Sequence, residues 1–348
     1  MVEVDLQIRP RVETERASAL VGAEAEQPLG AEDTSPAGLA ASDPLHLAQF
    51  LERVDPHVRV RPDAERDAAV LDPRGRKEPV GEFHYLGVDE ARAAAAAAAE
   101  AGVELVLLLA AYARGGLPRM RQSSAAEYLS QLESLRDDGL RVGLAPHSVR
   151  ACPRDWLEEI GRYAASQGLP LHIHACEQPR EIEECLAEHG CRPIELLART
   201  GCLGPHVTVV HATHADGSEL DLLAESSTTV CACPTTEADL ADGFLPAARI
   251  EHRGIPLCIG SDSNVRIDPL EELRELEGIA RRQTGKRGVF STDRLLRFGA
   301  DEGARALGLG SWPAIGVDPG HDALRGVARA DVLDALVSSC SADVVSRA

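Results

Sequence analysis

At 348 residues the chain has room for one large α/β domain or two ordinary ones, and with aromatics at 3% its core must be aliphatic. A formal charge of −20 argues against nucleic acid and anionic membranes as partners, because a phosphate surface calls for a basic face. Nine scattered cysteines, no secretory leader and no apolar run of spanning length lead us to expect a cytoplasmic protein without a disulfide framework. A homodimer is allowed by the sequence, but nothing in it requires one.

Residues 12–43, rich in Ala, Glu, Gly and Pro without sustained periodicity, read as disordered. The next segment, "DPLHLAQFLERVDPHVRV", offers a turn or two of helix and a short strand before a charged stretch to residue 79. From there the chain becomes rhythmic. Short apolar runs alternate with helical segments: "VGEFHYL" (80–86), "VELVLLLAAY" (103–112), "RVGLAPHSV" (141–149), "PLHIHACE" (170–177), "VTVVHATH" (207–214), "TTVCACPTT" (228–236) and "PLCIGSDSN" (256–264). "DEARAAAAAAAEAG" (89–102) predicts a helix by propensity, closed by a glycine. Ser124 and Glu127 make a capping box, and Asp268-Pro269 starts another helix. The charges of "EELRELEGIARRQ" (271–283) read as a solvated helix face.

Seven strand–helix units in series predict a parallel sheet, either a barrel or a doubly wound sheet. Polar residues stand where several apolar runs stop: His147 and Arg150, His174 and Glu177, His211 and His214, and Asp262. Strand ends of a (β/α)8 barrel converge on one mouth, whereas a doubly wound sheet would carry a glycine fingerprint that is not found here. The expected fold is therefore a (β/α)8 TIM barrel. His172 and His174, two apart on a strand, face the same way, and with His211 and Asp262 they offer donors to one point. Either a metal pair or two buried histidines would explain His172-x-His174. Cys231-x-Cys233 reads as strand alternation rather than a metal motif.

"APHSVRA" (145–151), "HIHACEQ" (172–178), "VVHATH" (209–214), "CPTTEADLADG" (233–243) and "GSDSNVRIDPLEELRELE" (260–277) resemble the formimidoylglutamate deiminases of histidine degradation, a family of the metal-dependent amidohydrolase superfamily. The likeness runs from residue 82 to residue 345. It implies hydrolysis of N-formimidoyl-L-glutamate, a small dicarboxylate amidine, to N-formyl-L-glutamate and ammonia, with one divalent ion, most simply zinc. By the same resemblance His174 and Asp262 hold the metal and Asp262 takes a proton from water. Glu177 shuttles a proton to the substrate nitrogen, and His211 stabilises the attacking water and the tetrahedral centre. His172 packs or supports its neighbour, His214 is structural, and Tyr85, His147 and Arg150 contact substrate. Arg150 is also the natural partner of a carboxylate on physical grounds.

The family's upstream H-x-H is not found in residues 1–79, which contain only His46 and His57. Nor is the flanking β-sandwich recognisable at either end. We therefore expect an atypical, largely disordered segment over 1–78, a barrel without a recognisable first strand over 79–309, and a C-terminal extension over 310–348. "VDPHVRVR" (54–61) is the upstream candidate for the missing strand. A related ring deaminase, an imidazolonepropionase-like hydrolase and a catalytically silent barrel stay open as alternatives.

Overall fold

The computed structural model describes residues 78–264, 266–310, 316–317, 320–341 and 344–346. The candidate first strand at 54–61 lies outside them. Seven parallel strands follow one another in chain order: β1 (Glu78–His84), β2 (Val103–Ala111), β3 (Val142–Pro146), β4 (Leu171–Ala175), β5 (Val207–His211), β6 (Thr229–Ala232) and β7 (Leu257–Ile259). Each pairs with the next, so the sheet curls into a half-barrel whose margins are β1 and β7. This is the α/β architecture expected, with seven barrel strands among the described residues. No helix among the described residues is long and apolar enough to cross a membrane.

The connecting helices cover the convex face. They are α1 (Val88–Glu100), α2 (Ala125–Asp137), α3 (Arg154–Gln167), α4 (Pro179–His189), α5 (Pro193–Thr200), α6 (Gly217–Ser226), α7 (Pro234–Asp239), α8 (Ala247–His252) and α9 (Pro269–Thr284). α10 (Thr292–Gly299), α11 (Asp301–Ala306) and α12 (Val332–Ser339) follow. Their starts are encoded locally. Ser124 accepts from Glu127 N, and Asp268 accepts from Leu270 N and Glu271 N ahead of Pro269. In α3 the buried residues Trp156, Leu157, Ile160, Gly161 and Ala164 form one helical stripe. Gly161 is required there, because a Cβ would stand 2.8 Å from Cys202 Sγ.

Several strands stop sooner than their apolar runs. "TTVCACPTT" gives only four strand residues, since Pro234 opens α7 at its first turn. "RVGLAPHSV" ends at Pro146, leaving Ser148 with an isolated bridge to His174. The charged helix α9 is not merely solvated: Glu272 and Glu277 are buried beside Leu273, Leu276 and Ala280. Each glutamate accepts backbone N–H groups from a neighbouring segment, Thr235 for Glu272 and Val289 and Phe290 for Glu277. Sequence charge alone does not show that such a carboxylate bonds inward.

The concave face is filled in layers. Val106, Leu108 and Ala145 pack with Leu307 and Leu309, while Val210, Cys231, Cys233 and Cys258 pack with Ala306. The segment from α11 to Leu309 thus plugs the inside of the curl. Gly81 admits it, because a Cβ there would collide with the Leu307 side chain.

Burial raises the Glu272 carboxyl to about 7, against hydrogen bonds from Thr235 that pull it down. The unfolded value is about 4.3, so the folded chain binds more protons between the two values. The contribution of Glu272 to stability should fall as pH rises from about 4.5 to 7 and then level off. Glu272→Gln is expected to match the wild type near pH 4.5 and to exceed it by about 1–3 kcal/mol at pH 8 in urea melts.

Candidate active site

Parallel strands deliver their last side chains to one rim. His174 sits one residue before the end of β4, and Ala175 is in register with His211, the last residue of β5. Asp262 follows β7 by three residues. The backbone at this rim is left-handed at non-glycine positions: φ is +55° at Cys176, +72° at His211, +55° at Ala212 and +43° at Asp262. Such conformations are unfavourable for L residues by about 1 kcal/mol or more each and persist where the surroundings over-determine them. Here they turn the chain out of the strand so that the side chains face inward.

His174 Nε2 lies 4.0 Å from Asp262 Oδ1, and His211 Nε2 lies 3.8 Å from Asp262 Oδ2 and 3.8 Å from Glu177 Oε1. One donor atom each from His174, His211 and Asp262 fall within 4.8 Å of one another. Both imidazoles are held from behind. The Nδ1 of His174 donates to the His147 carbonyl at 2.9 Å, and Nδ1 of His211 meets Glu237 Oε1 at 3.3 Å. That leaves each Nε2 directed at the shared point, as metal-binding histidines require. His211 Nε2 is buried without a hydrogen-bond partner among the described residues. Two imidazoles and a carboxylate are the number and kind of donors a catalytic zinc site takes from its protein, with the fourth position for water. The residues present therefore fit a divalent ion.

The two histidines titrate in opposite directions. Burial and the charge of His211 hold His174 down. Burial also opposes charge on His211, but the Glu237 hydrogen bond and the carboxylates of Glu177, Glu237 and Asp262 outweigh it and raise the ring to about 9. Glu177 is raised, chiefly by burial, with Asp242 and Asp262 adding to it and His211 and Arg150 opposing.

The other expected residues gather here with different tasks. His147 stacks on His174 with ring centroids 4.6 Å apart, and burial keeps it neutral, well below its ordinary range. Tyr85 lies 5.9 Å from His147 and 6.2 Å from Tyr112, ring to ring. Arg150 donates Nη2 to Glu177 Oε2 at 3.3 Å while its Nε stays buried and without a hydrogen-bond partner among the described residues. His172 faces the same side as His174 one layer deeper, where it bonds the Ala306 carbonyl at 2.8 Å and not its neighbour. His214 bonds the Asp242 carbonyl at 2.6 Å.

Sequence reasoning left Glu237, Asp242, Tyr112 and Phe83 without roles. Phe83 packs 4.7 Å from the His174 ring and Tyr112 4.7 Å from His147. Asp242 is buried, accepting from Gln178 through one oxygen. Glu237 and Asp242 lie inside "CPTTEADLADG", and two carboxylates just past a strand end were the available signal.

Known proteins share this arrangement of elements. Residues 76–314 match the amidohydrolase family. This chain belongs to the amidohydrolase family. The formimidoylglutamate deiminase of Pseudomonas aeruginosa is 35% identical over 237 residues, 62% of this amidohydrolase and 52% of that protein. The 5-methylthioadenosine/S-adenosylhomocysteine deaminase of Halobacterium salinarum is 32% identical over 178 residues, 50% of this chain and 41% of that one. Among solved structures, a Xanthomonas campestris adenosine deaminase with bound zinc has a TM-score of 0.69 at 24% identity, covering 77% of this chain and 63% of that one. An amidohydrolase of Brucella melitensis has a TM-score of 0.65 at 29% identity, covering 76% and 68%. The chain spans about half the length of the curated relatives it matches.

One ion per chain is the expected stoichiometry after zinc loading, measured by elemental analysis. His174→Ala and Asp262→Asn should each weaken zinc binding by more than about 100-fold. His172→Ala should leave the affinity unchanged and lower stability by about 1–3 kcal/mol, since it orphans the Ala306 carbonyl.

Proposed function

We propose that this amidohydrolase hydrolyses the C–N bond of a small amidine, with N-formimidoyl-L-glutamate as substrate and ammonia and N-formyl-L-glutamate as products. One observation carries the reading: Arg150 stands beside Glu177 at the rim, and its Nε has no hydrogen-bond partner among the described residues. A guanidinium so placed binds a substrate carboxylate on its free edge while the neighbouring glutamate serves the reacting nitrogen. The identity to the Pseudomonas aeruginosa formimidoylglutamate deiminase supports the same choice.

In this reading His174, His211 and Asp262 would hold a divalent ion, zinc by the chemistry of its donors, which would lower the pKa of a water in the site. Water adds to the formimidoyl carbon, and the bond from that carbon to the terminal nitrogen breaks as ammonia leaves. Asp262 takes a proton from the attacking water. Glu177, whose carboxyl burial raises, delivers one to the departing nitrogen. Tyr85 and His147 shape the wall against which the linear substrate lies. All nine cysteines are buried, and Cys152, Cys176, Cys185, Cys191, Cys202, Cys231, Cys233 and Cys258 are free thiols, which suits a reducing compartment.

A second reading draws on the adjoining rings of Tyr85, Tyr112 and His147, which offer a flat face for a purine. Several relatives are named as deaminases of adenine nucleosides. Ammonia release from N-formimidoyl-L-glutamate and from 5′-methylthioadenosine, assayed side by side on zinc-loaded protein, decides between them. Turnover of the nucleoside alone would reject the linear substrate, and no turnover of either would favour a silent barrel.

The two rim residues should fail differently. Arg150→Met is expected to raise KM for N-formimidoyl-L-glutamate by about 30- to 1,000-fold with kcat little changed. Glu177→Gln should lower kcat by about 10²–10⁴-fold at nearly constant KM. A Glu177→Gln protein that turns over normally while binding weakly would withdraw the proton-transfer role.

A further inference from the structure

Glu237 is among the most deeply buried carboxylates described, with no exposure at all. It lies on the short helix α7, just beyond the end of β6. Its Oε1 accepts the Cys233 N–H at 2.9 Å and faces His211 Nδ1 at 3.3 Å. Its Oε2 is buried and has no hydrogen-bond partner among the described residues. A helix-capping duty explains the Cys233 contact alone. It does not explain a full carboxylate, since an amide would accept the same N–H without burying a charge, and an uncompensated buried charge is unfavourable by several kcal/mol. The group that profits from the charge is His211, whose opposite nitrogen is aimed at Asp262 and Glu177.

We propose that Glu237 is the positioning residue of this site: it takes the Nδ1–H of His211, fixes the plane of the ring and leaves Nε2 as the nitrogen offered to the shared point. The inference rests on the metal-site reading above. It divides the two histidines by their supports. His174 is backed by a neutral carbonyl, that of His147, and His211 by a carboxylate. A carboxylate partner makes the imidazole a stronger donor to an ion as well as an oriented one.

The test compares the full-length wild type with Glu237→Ala and Glu237→Gln. The first readout is proton NMR of the metal-free chain, in which a hydrogen-bonded ring N–H gives a slowly exchanging resonance far downfield; loss of the signal in His211→Ala assigns it. The second is zinc affinity, measured by competition with a chromophoric chelator. Glu237→Ala should lose the resonance and weaken zinc binding by about 10- to 100-fold while the circular dichroism stays native. Glu237→Gln keeps an acceptor oxygen without the charge, so its resonance should persist at a shifted position, with a smaller loss of affinity. A role limited to capping α7 predicts lowered thermal stability with both readouts unmoved. That result in a folded Glu237→Ala overturns the proposal, as does a wild type without a resonance traceable to His211. Should Glu237→Ala fail to fold, an unshifted resonance and unchanged zinc affinity in Glu237→Gln overturn it equally. A wild type that shows the resonance but takes up no zinc would reject the metal reading and leave the Glu237–His211 contact standing.

Discussion

Buried negative charge around one imidazole is the constraint on which this site depends. Glu177, Glu237 and Asp262 all press on His211, and Asp242 stands near enough for its own ionisation to feel the ring. Each carboxylate taken from water costs several kcal/mol unless something positive or a hydrogen-bond donor answers it. Arg150 answers Glu177, and Gln178 and backbone groups answer the others in part. These carboxylates outweigh burial at His211 and raise its ring, whereas burial holds His174 and His147 down. A rim so biased favours a divalent cation or a cationic amidine over a neutral ligand, and both belong to the chemistry proposed here.

The scaffold separates this charged layer from a dry one by a single step along the strands. Residues two apart on a strand share a face but differ in height by about 6.6 Å. His174 therefore reaches the rim, whereas His172 ends in the apolar layer formed by Cys231, Cys258 and Ala306, where a backbone carbonyl is its partner. The plug from α11 to Leu309 closes that layer from within the curl, and it needs Gly81 to come so close. One motif thus divides into a donor and a structural tie.

What was legible in the sequence was local. Seven strands in order, the caps at Ser124 and Asp268, and the convergence of His174, His211 and Asp262 follow from periodicity, cap chemistry and the geometry of parallel strand ends. What was not legible depends on neighbours distant in the chain. Whether His172 or His174 stands at the rim is set by where β4 stops, and that is set by its register with β5. The inward turn of Glu272 depends on Thr235, and the pairing of Arg150 with Glu177 on two different strand-end loops meeting. Glu237 was present in a quoted motif, yet its partner lies 26 residues earlier on another strand. Charge in a sequence does not say which way a side chain faces.

The donors come from β4, β5 and β7, so the site spans the half-barrel and its precision depends on how firmly those strands are joined. β6 is the spacer between two of the donors, and all four of its residues are buried, which leaves little room for slippage. The margin matters too. Among the described residues β1 is an edge strand, the kind most exposed to fraying, yet its Phe83 forms the wall against His174. Seven register pairs with β2 and the seat of Leu307 over Gly81 hold it there. Fold and site are therefore coupled in both directions. Loosening either margin would widen the donor triangle, and an ion bound by the three donors would tie β4, β5 and β7 together, adding its binding free energy to the stability of the open sheet.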